Sequence, residues 1–117
     1  MELKNLIKSI LAFRDARDWA QFHRPNQLAA ALSIEAAELQ EHFLWKTPDQ
    51  VARIGDDAEK LSAVGDEIAD VLIYALLLAH ELKLEPAAII QRKLAKNAAK
   101  YPVHKSRGKA AKYTELQ

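Results

Sequence analysis

Apolar residues recur at three- and four-residue intervals along most of the chain, and four helical segments follow from that period. The first runs from about Leu3 to Asp15, with Leu3, Ile7, Ile10, Leu11 and Phe13 forming one stripe. A loop around Trp19 to His23 comes next, and Pro25 is well placed near the start of the second helix. That helix extends from about Asn26 to Leu44 and stops before Thr47-Pro48, because the residue ahead of a proline is steered out of helical conformation. A polar connection containing Gly55 and two aspartates leads to a third helix from about Ala58 to Lys83. Pro86 opens a fourth, which ends near Tyr101-Pro102. The remainder, from Val103, is basic, carries Gly108 and reads as irregular. One helical domain over residues 1–102 with a basic tail over 103–117 is the predicted organisation.

The third helix departs from simple amphipathicity. Its centre, VLIYALLLA from Val71 to Ala79, is apolar on every side, the pattern of a helix covered all round. A chain of 117 residues has few neighbours to offer such a helix. The pattern therefore predicts an all-α, four-helix bundle-like architecture completed by oligomerisation.

Composition agrees with the helices. Half the residues are hydrophobic, but there are only 3 Gly and 4 Pro, and aromatics make up 7%. Ala, Leu, Lys, Glu, Gln and Arg lose least on entering a helix, whereas a sheet protein needs more β-branched and turn residues. The net charge of +1 gives no global field for nucleic acid or an anionic membrane. With no cysteine, disulfides, thiolate nucleophiles and Cys-ligated zinc are all excluded. The apolar runs are too short for a signal peptide or for the roughly 20 residues that cross a bilayer. A soluble cytoplasmic protein with no nucleic-acid or membrane partner is expected.

The candidate chemistry lies in acids that interrupt the apolar stripes. Leu28, Leu32, Glu35, Glu38, Leu39 and His42 share a line on the second helix, and Val64, Glu67, Asp70, Val71 and Tyr74 repeat it on the third. Each helix thus places two carboxylates three residues apart beside its core-facing stripe. Crowded, desolvated carboxylates repel one another and gain affinity for protons. A divalent cation relieves both effects, and magnesium prefers hard oxygen ligands while leaving room for water and phosphate. Glu-x-x-Glu steps are also common among solvated surface acids, so spacing alone leaves both readings open. Glu41 and Asp66 are expected to point away from the shared face. A di-iron bundle would need Glu-x-x-His steps, and none of the four histidines supplies one.

Four segments in order, FRDARDWAQFHRP, EAAELQEHFLWK, DEIADVLIYALLLA and KLAKNAAKYPVHKSRGKAAKYTEL, resemble the MazG-like all-α nucleoside triphosphate pyrophosphohydrolases, in particular the dCTP pyrophosphatase branch. The resemblance covers nearly the whole chain. It implies Mg2+, with Mn2+ as an alternative ion, held by Glu35, Glu38, Glu67 and Asp70, and a glutamate, Glu38 with Glu35 beside it, helping to deprotonate the attacking water. Lys93, Asn97, Lys100 and Tyr101 match the family's Lys-x-x-x-Asn-x-x-basic-Tyr segment and are expected to meet phosphates. Trp19, His23 and Trp45 look like its nucleobase pocket, and Tyr74 lies one turn beyond Asp70 where it could orient the sugar. Where relatives commonly carry Pro-x-Asn-Leu, this chain has Pro25-Asn26-Gln27-Leu28.

The implied function is cleavage of a (d)NTP, dCTP or a modified pyrimidine dNTP, to the monophosphate and pyrophosphate, by a homodimer or homotetramer. Two rivals stand beside it. One is a broad-specificity NTP/dNTP pyrophosphohydrolase, and the other is a non-catalytic helical oligomerisation module whose acids are surface charges.

Overall fold

The computed structural model describes residues 1–116, all of whose regular elements are helical. Six α-helices occur among the described residues: α1 (Leu3–Ala16), α2 (Pro25–Glu41), α3 (Pro48–Arg53), α4 (Ala58–Glu81), α5 (Pro86–Lys100) and α6 (Val103–Ser106), with 3₁₀ turns at Ala20–Phe22, Ile54–Asp56 and Tyr113–Glu115. The chain divides into two compact units, Met1–Lys83 and Leu84–Gln117.

In the first unit the main packing is α2 against α4, with α1 and the Ile54–Asp56 turn also resting on α4. Its buried apolar centre is small: Leu28 from α2, Ile54 from the turn, and Val64, Leu77 and Ala79 from α4. Arg14 is buried as well. Its Nε donates to Asp15 at 2.9 Å and its Nη1 to Glu81 at 3.0 Å, which ties α1 to the last turn of α4. That pairing is what allows a guanidinium to be buried.

Helix starts are set by local chemistry. Pro25, Pro48 and Pro86 each stand at a first-turn position, where the missing amide hydrogen costs no intrahelical bond. Asp57 caps α4 by accepting from the amides of Glu59 and Lys60, both at 3.1 Å. Glu85 caps α5 in the same way through Ala87 and Ala88.

Two sequence expectations change, the end of the second helix and the irregular tail. The second helix ends at Glu41 rather than Leu44, and the polar connection that follows contains a helix. Thr47 and Gln50 form a reciprocal capping box, so Pro48 begins helix α3 instead of merely ending the one before it. The tail likewise contains a helical turn, α6, and a 3₁₀ turn that carries Tyr113. Within the first unit α4 is covered on part of its circumference: Leu77 and Ala79 are buried, whereas Ile68 is 44% and Leu72 56% exposed, a side left for the expected assembly.

The second unit is organised by α5. Its carboxyl end meets the tail through Tyr113, whose ring lies edge-on to Tyr101 with centroids 6.3 Å apart and beneath the Lys100 ammonium at 4.8 Å.

Candidate active site

The α2–α4 pairing brings three of the four predicted acids together. Glu35 and Glu38 stand one turn apart on α2 and face Glu67 of α4, and one carboxylate oxygen of each lies within 4.8 Å of the others. Asp70, one turn beyond Glu67, is outside this tight trio but close enough for its charge to act on Glu35.

Burial and crowding favour the protonated form of one of these acids. The Glu35 carboxyl is pushed up from its ordinary 4.5 to about 7, first by desolvation, then by a hydrogen bond and the charge of Glu38, and then by the charges of Asp70 and Glu67. Oε2 of Glu35 and Oε2 of Glu67 are both buried without a hydrogen-bond partner. Unpartnered buried carboxylate oxygens are costly, and a hard divalent cation satisfies them directly. The donor set is all oxygen and anionic, so it fits magnesium or manganese rather than a soft metal.

The site has two further neighbours at the carboxyl end of α2. Glu38 and Glu67 share a recess with Glu41 and His42. The His42 Nε2 stands 4.0 Å from Oε1 of Glu67. Glu41, expected to point away from the shared face, is the last residue of α2 and lines the recess all the same. Asp66 is exposed and lines none of the cavities described here.

On the other side, Asp70 forms part of the wall of a cavity of about 430 Å³ between α1 and α4. Phe13 and Arg14 come from α1, Trp19 and His23 from the connection after it, and Tyr74 from α4. The Trp19 ring meets Phe13 edge-on at 5.8 Å, and the Arg17 guanidinium covers the other ring at 3.7 Å. Nδ1 of His23 is buried with no partner, so it is available to a ligand that enters. Three of the four residues expected near a base or sugar, Trp19, His23 and Tyr74, therefore converge, and they do so next to the acids.

Trp45 does not join them. It is 92% exposed, it does not line this cavity, and its backbone is held at φ 61°, a strained conformation for a bulky side chain. Lys93, Asn97 and Lys100 lie on one face of α5 in the second unit, and the Asn97 carbonyl accepts the Tyr101 amide at 2.8 Å. Phe13 and Arg14 were missed as cavity walls. They are distant from the acids in sequence, and only the packing of α1 on α4 reveals their role.

Comparison with known proteins identifies relatives of the whole fold. The model of the MazG-like family matches residues 30–116. The chain is 42% identical over 105 residues to dCTP pyrophosphatase 1 of Mus musculus and 38% identical over 104 residues to that of Bos taurus. Each alignment covers 89% of this chain and 61% or 62% of the relative, so the chain spans about three-fifths of the length of these curated relatives. A crystal structure of a pyrophosphatase from Archaeoglobus fulgidus DSM 4304 superposes with a TM-score of 0.77 at 38% identity, covering 86% of this chain and 92% of that one.

Proposed function

The chain belongs to the MazG-like family, and on that premise we propose that it is a magnesium-dependent nucleotide pyrophosphohydrolase. It cleaves a (d)NTP, with dCTP or a modified pyrimidine dNTP as the preferred substrate, to the monophosphate and pyrophosphate. The observation that carries this reading is the contact between two unlike sites. A trio of carboxylates with unpartnered buried oxygens adjoins, through Asp70, an aromatic-lined cavity with room for a base. The curated relatives named as dCTP pyrophosphatases support the choice of substrate.

In this reading Glu35, Glu38, Glu67 and Asp70 hold the metal. When bound, magnesium supplies a Lewis acid that offsets phosphate charge and makes water more acidic. Glu38, with Glu35 beside it, accepts the proton of the water that attacks phosphorus. Trp19 stacks on the base, the free His23 Nδ1 meets its edge, and Tyr74 positions the sugar. Lys93, Asn97 and Lys100 meet phosphate oxygens, with Tyr101 placed beside them.

The reading extends to a homodimer or homotetramer. Ile34, Ile68 and Leu72 lie 44–60% exposed on α2 and α4, and large exposed apolar groups of this kind mark surfaces that other protein covers. Trp45, which does not line the cavity of its own chain, takes part in substrate binding through such an assembly.

The test is a panel of triphosphates with separate detection of pyrophosphate and orthophosphate, run on the wild type and on Glu38→Gln and Asp70→Asn. Pyrophosphate release that both substitutions slow is the expected result. Orthophosphate release would show that a different bond is cut, and unslowed variants would remove the proposed metal site.

A further inference from the structure

The acid recess continues, away from the base cavity, into a basic one. His42 and Glu41, which line the recess with Glu38 and Glu67, also line a small cavity together with Lys46 and Lys60. Lys46 and Lys60 in turn form part of the wall of a larger cavity of about 520 Å³, which Arg53 also lines. Shared walls thus connect the carboxylates to three exposed cations.

Helix geometry gives the scale. Asp70, Glu67 and Lys60 succeed one another down α4, with Lys60 two turns before Glu67, a rise of about 10–11 Å that a flexible lysine stem shortens. Lys46 follows the end of α2, and Arg53 ends α3.

None of these three cations forms an ion pair among the described residues. Two carboxylates, Asp56 and Asp57, share the basic cavity. Oδ1 of Asp57 is already engaged by the amides of Glu59 and Lys60. With Lys46, Lys60 and Arg53 set against Asp56 and Asp57, the lining of that cavity keeps one positive charge in excess.

We propose that Lys46, Lys60 and Arg53 form an anion subsite for the pyrophosphate end of the substrate, receiving the terminal phosphates of the bound triphosphate and holding the pyrophosphate after cleavage. The inference rests on the hydrolase reading above for its direction: base at Trp19, scissile phosphate at the acids, leaving group toward Lys60. Lysine suits a departing polyphosphate, since it binds as a mobile point charge rather than through a fixed bidentate clamp.

The experiment is calorimetric binding of inorganic pyrophosphate, in the presence of magnesium, to the full chain and to two double variants. Lys46→Gln with Lys60→Gln should weaken pyrophosphate binding by about tenfold or more. The corresponding Lys46→Arg with Lys60→Arg variant should stay within about threefold of wild type, since it keeps both charges. Binding of the nucleoside monophosphate should be unchanged in both. Equal pyrophosphate affinity in the wild type and the glutamine variant overturns the subsite, as does an equal loss of monophosphate binding. The measurement needs no turnover, so it separates the two readings. A chain that binds pyrophosphate through these lysines but hydrolyses no triphosphate keeps the subsite and loses the hydrolase. One that hydrolyses triphosphate with lysine-independent pyrophosphate binding does the reverse.

Discussion

Glu35 of α2 and Glu67 of α4 each bury one carboxylate oxygen with no hydrogen-bond partner, and they hold their carboxylates within 4.8 Å of each other. The pair is unfavourable without a cation, and that makes stability a readout of the site.

In metal-free buffer the protein should lose stability as pH rises from about 4.5 to about 7. Folding raises the Glu35 carboxyl to about 7. The folded state therefore binds the proton more tightly than the unfolded chain. Its contribution is fully present below the unfolded value and disappears as pH climbs through the folded one. Urea melts across that window should show the decline, and Glu35→Gln should flatten it. Magnesium at about 100 times its Kd should restore about 2.7 kcal/mol. A melting temperature indifferent to magnesium at pH 8 would argue against a metal centre.

Trp19→Ala should raise KM by about 10- to 100-fold, the usual worth of a stacking aromatic against a base, with a smaller effect on kcat. Steady-state kinetics on the best substrate of the panel provide the check. A change confined to kcat would place Trp19 outside the base pocket.

Glu81→Ala should cost about 1–3 kcal/mol in chemical denaturation, since it removes a charged hydrogen bond and leaves Arg14 with Asp15 alone. Leu28→Ala, at the most deeply buried apolar position, should cost about 2–5 kcal/mol. If Glu81→Ala is silent, the link between α1 and α4 is held by apolar packing rather than by the ion pair.

Ile68→Lys combined with Leu72→Lys should shift the protein to a smaller species in light scattering, because these residues stand one turn apart on the open side of α4. An unchanged mass would mean that the chain assembles through another surface, or not at all.

The acids were legible because their order depends only on helical period, which a long helix keeps faithfully. Glu35, Glu38 and Glu67 needed nothing more than α2 lying beside α4. The connection was less legible, for a definite reason. Pro48 was read as a stop, although Thr47-Pro48-Asp49-Gln50 also carries the signature of a helix start. Missing α3 meant missing Arg53 and the basic cavity. The walls of the base cavity required knowing that α1 crosses α4, which no local pattern states. An apolar helix, in turn, reports that something covers it but not whose atoms do so. Hence Leu72 reads as covered although its own chain leaves it 56% exposed.

Helix α4 carries Glu67 and Asp70 toward the acids and Tyr74 toward the base cavity, four residues and about 6 Å further along the same axis. Under the proposed function, one rigid rod therefore serves as a ruler between base recognition and attack on phosphate. Phe13 and Trp19, which close the cavity from the far side, belong to other elements. On that reading, sequence change in that wall alters which base enters, while the spacing along α4, and with it the bond cut, stays the same.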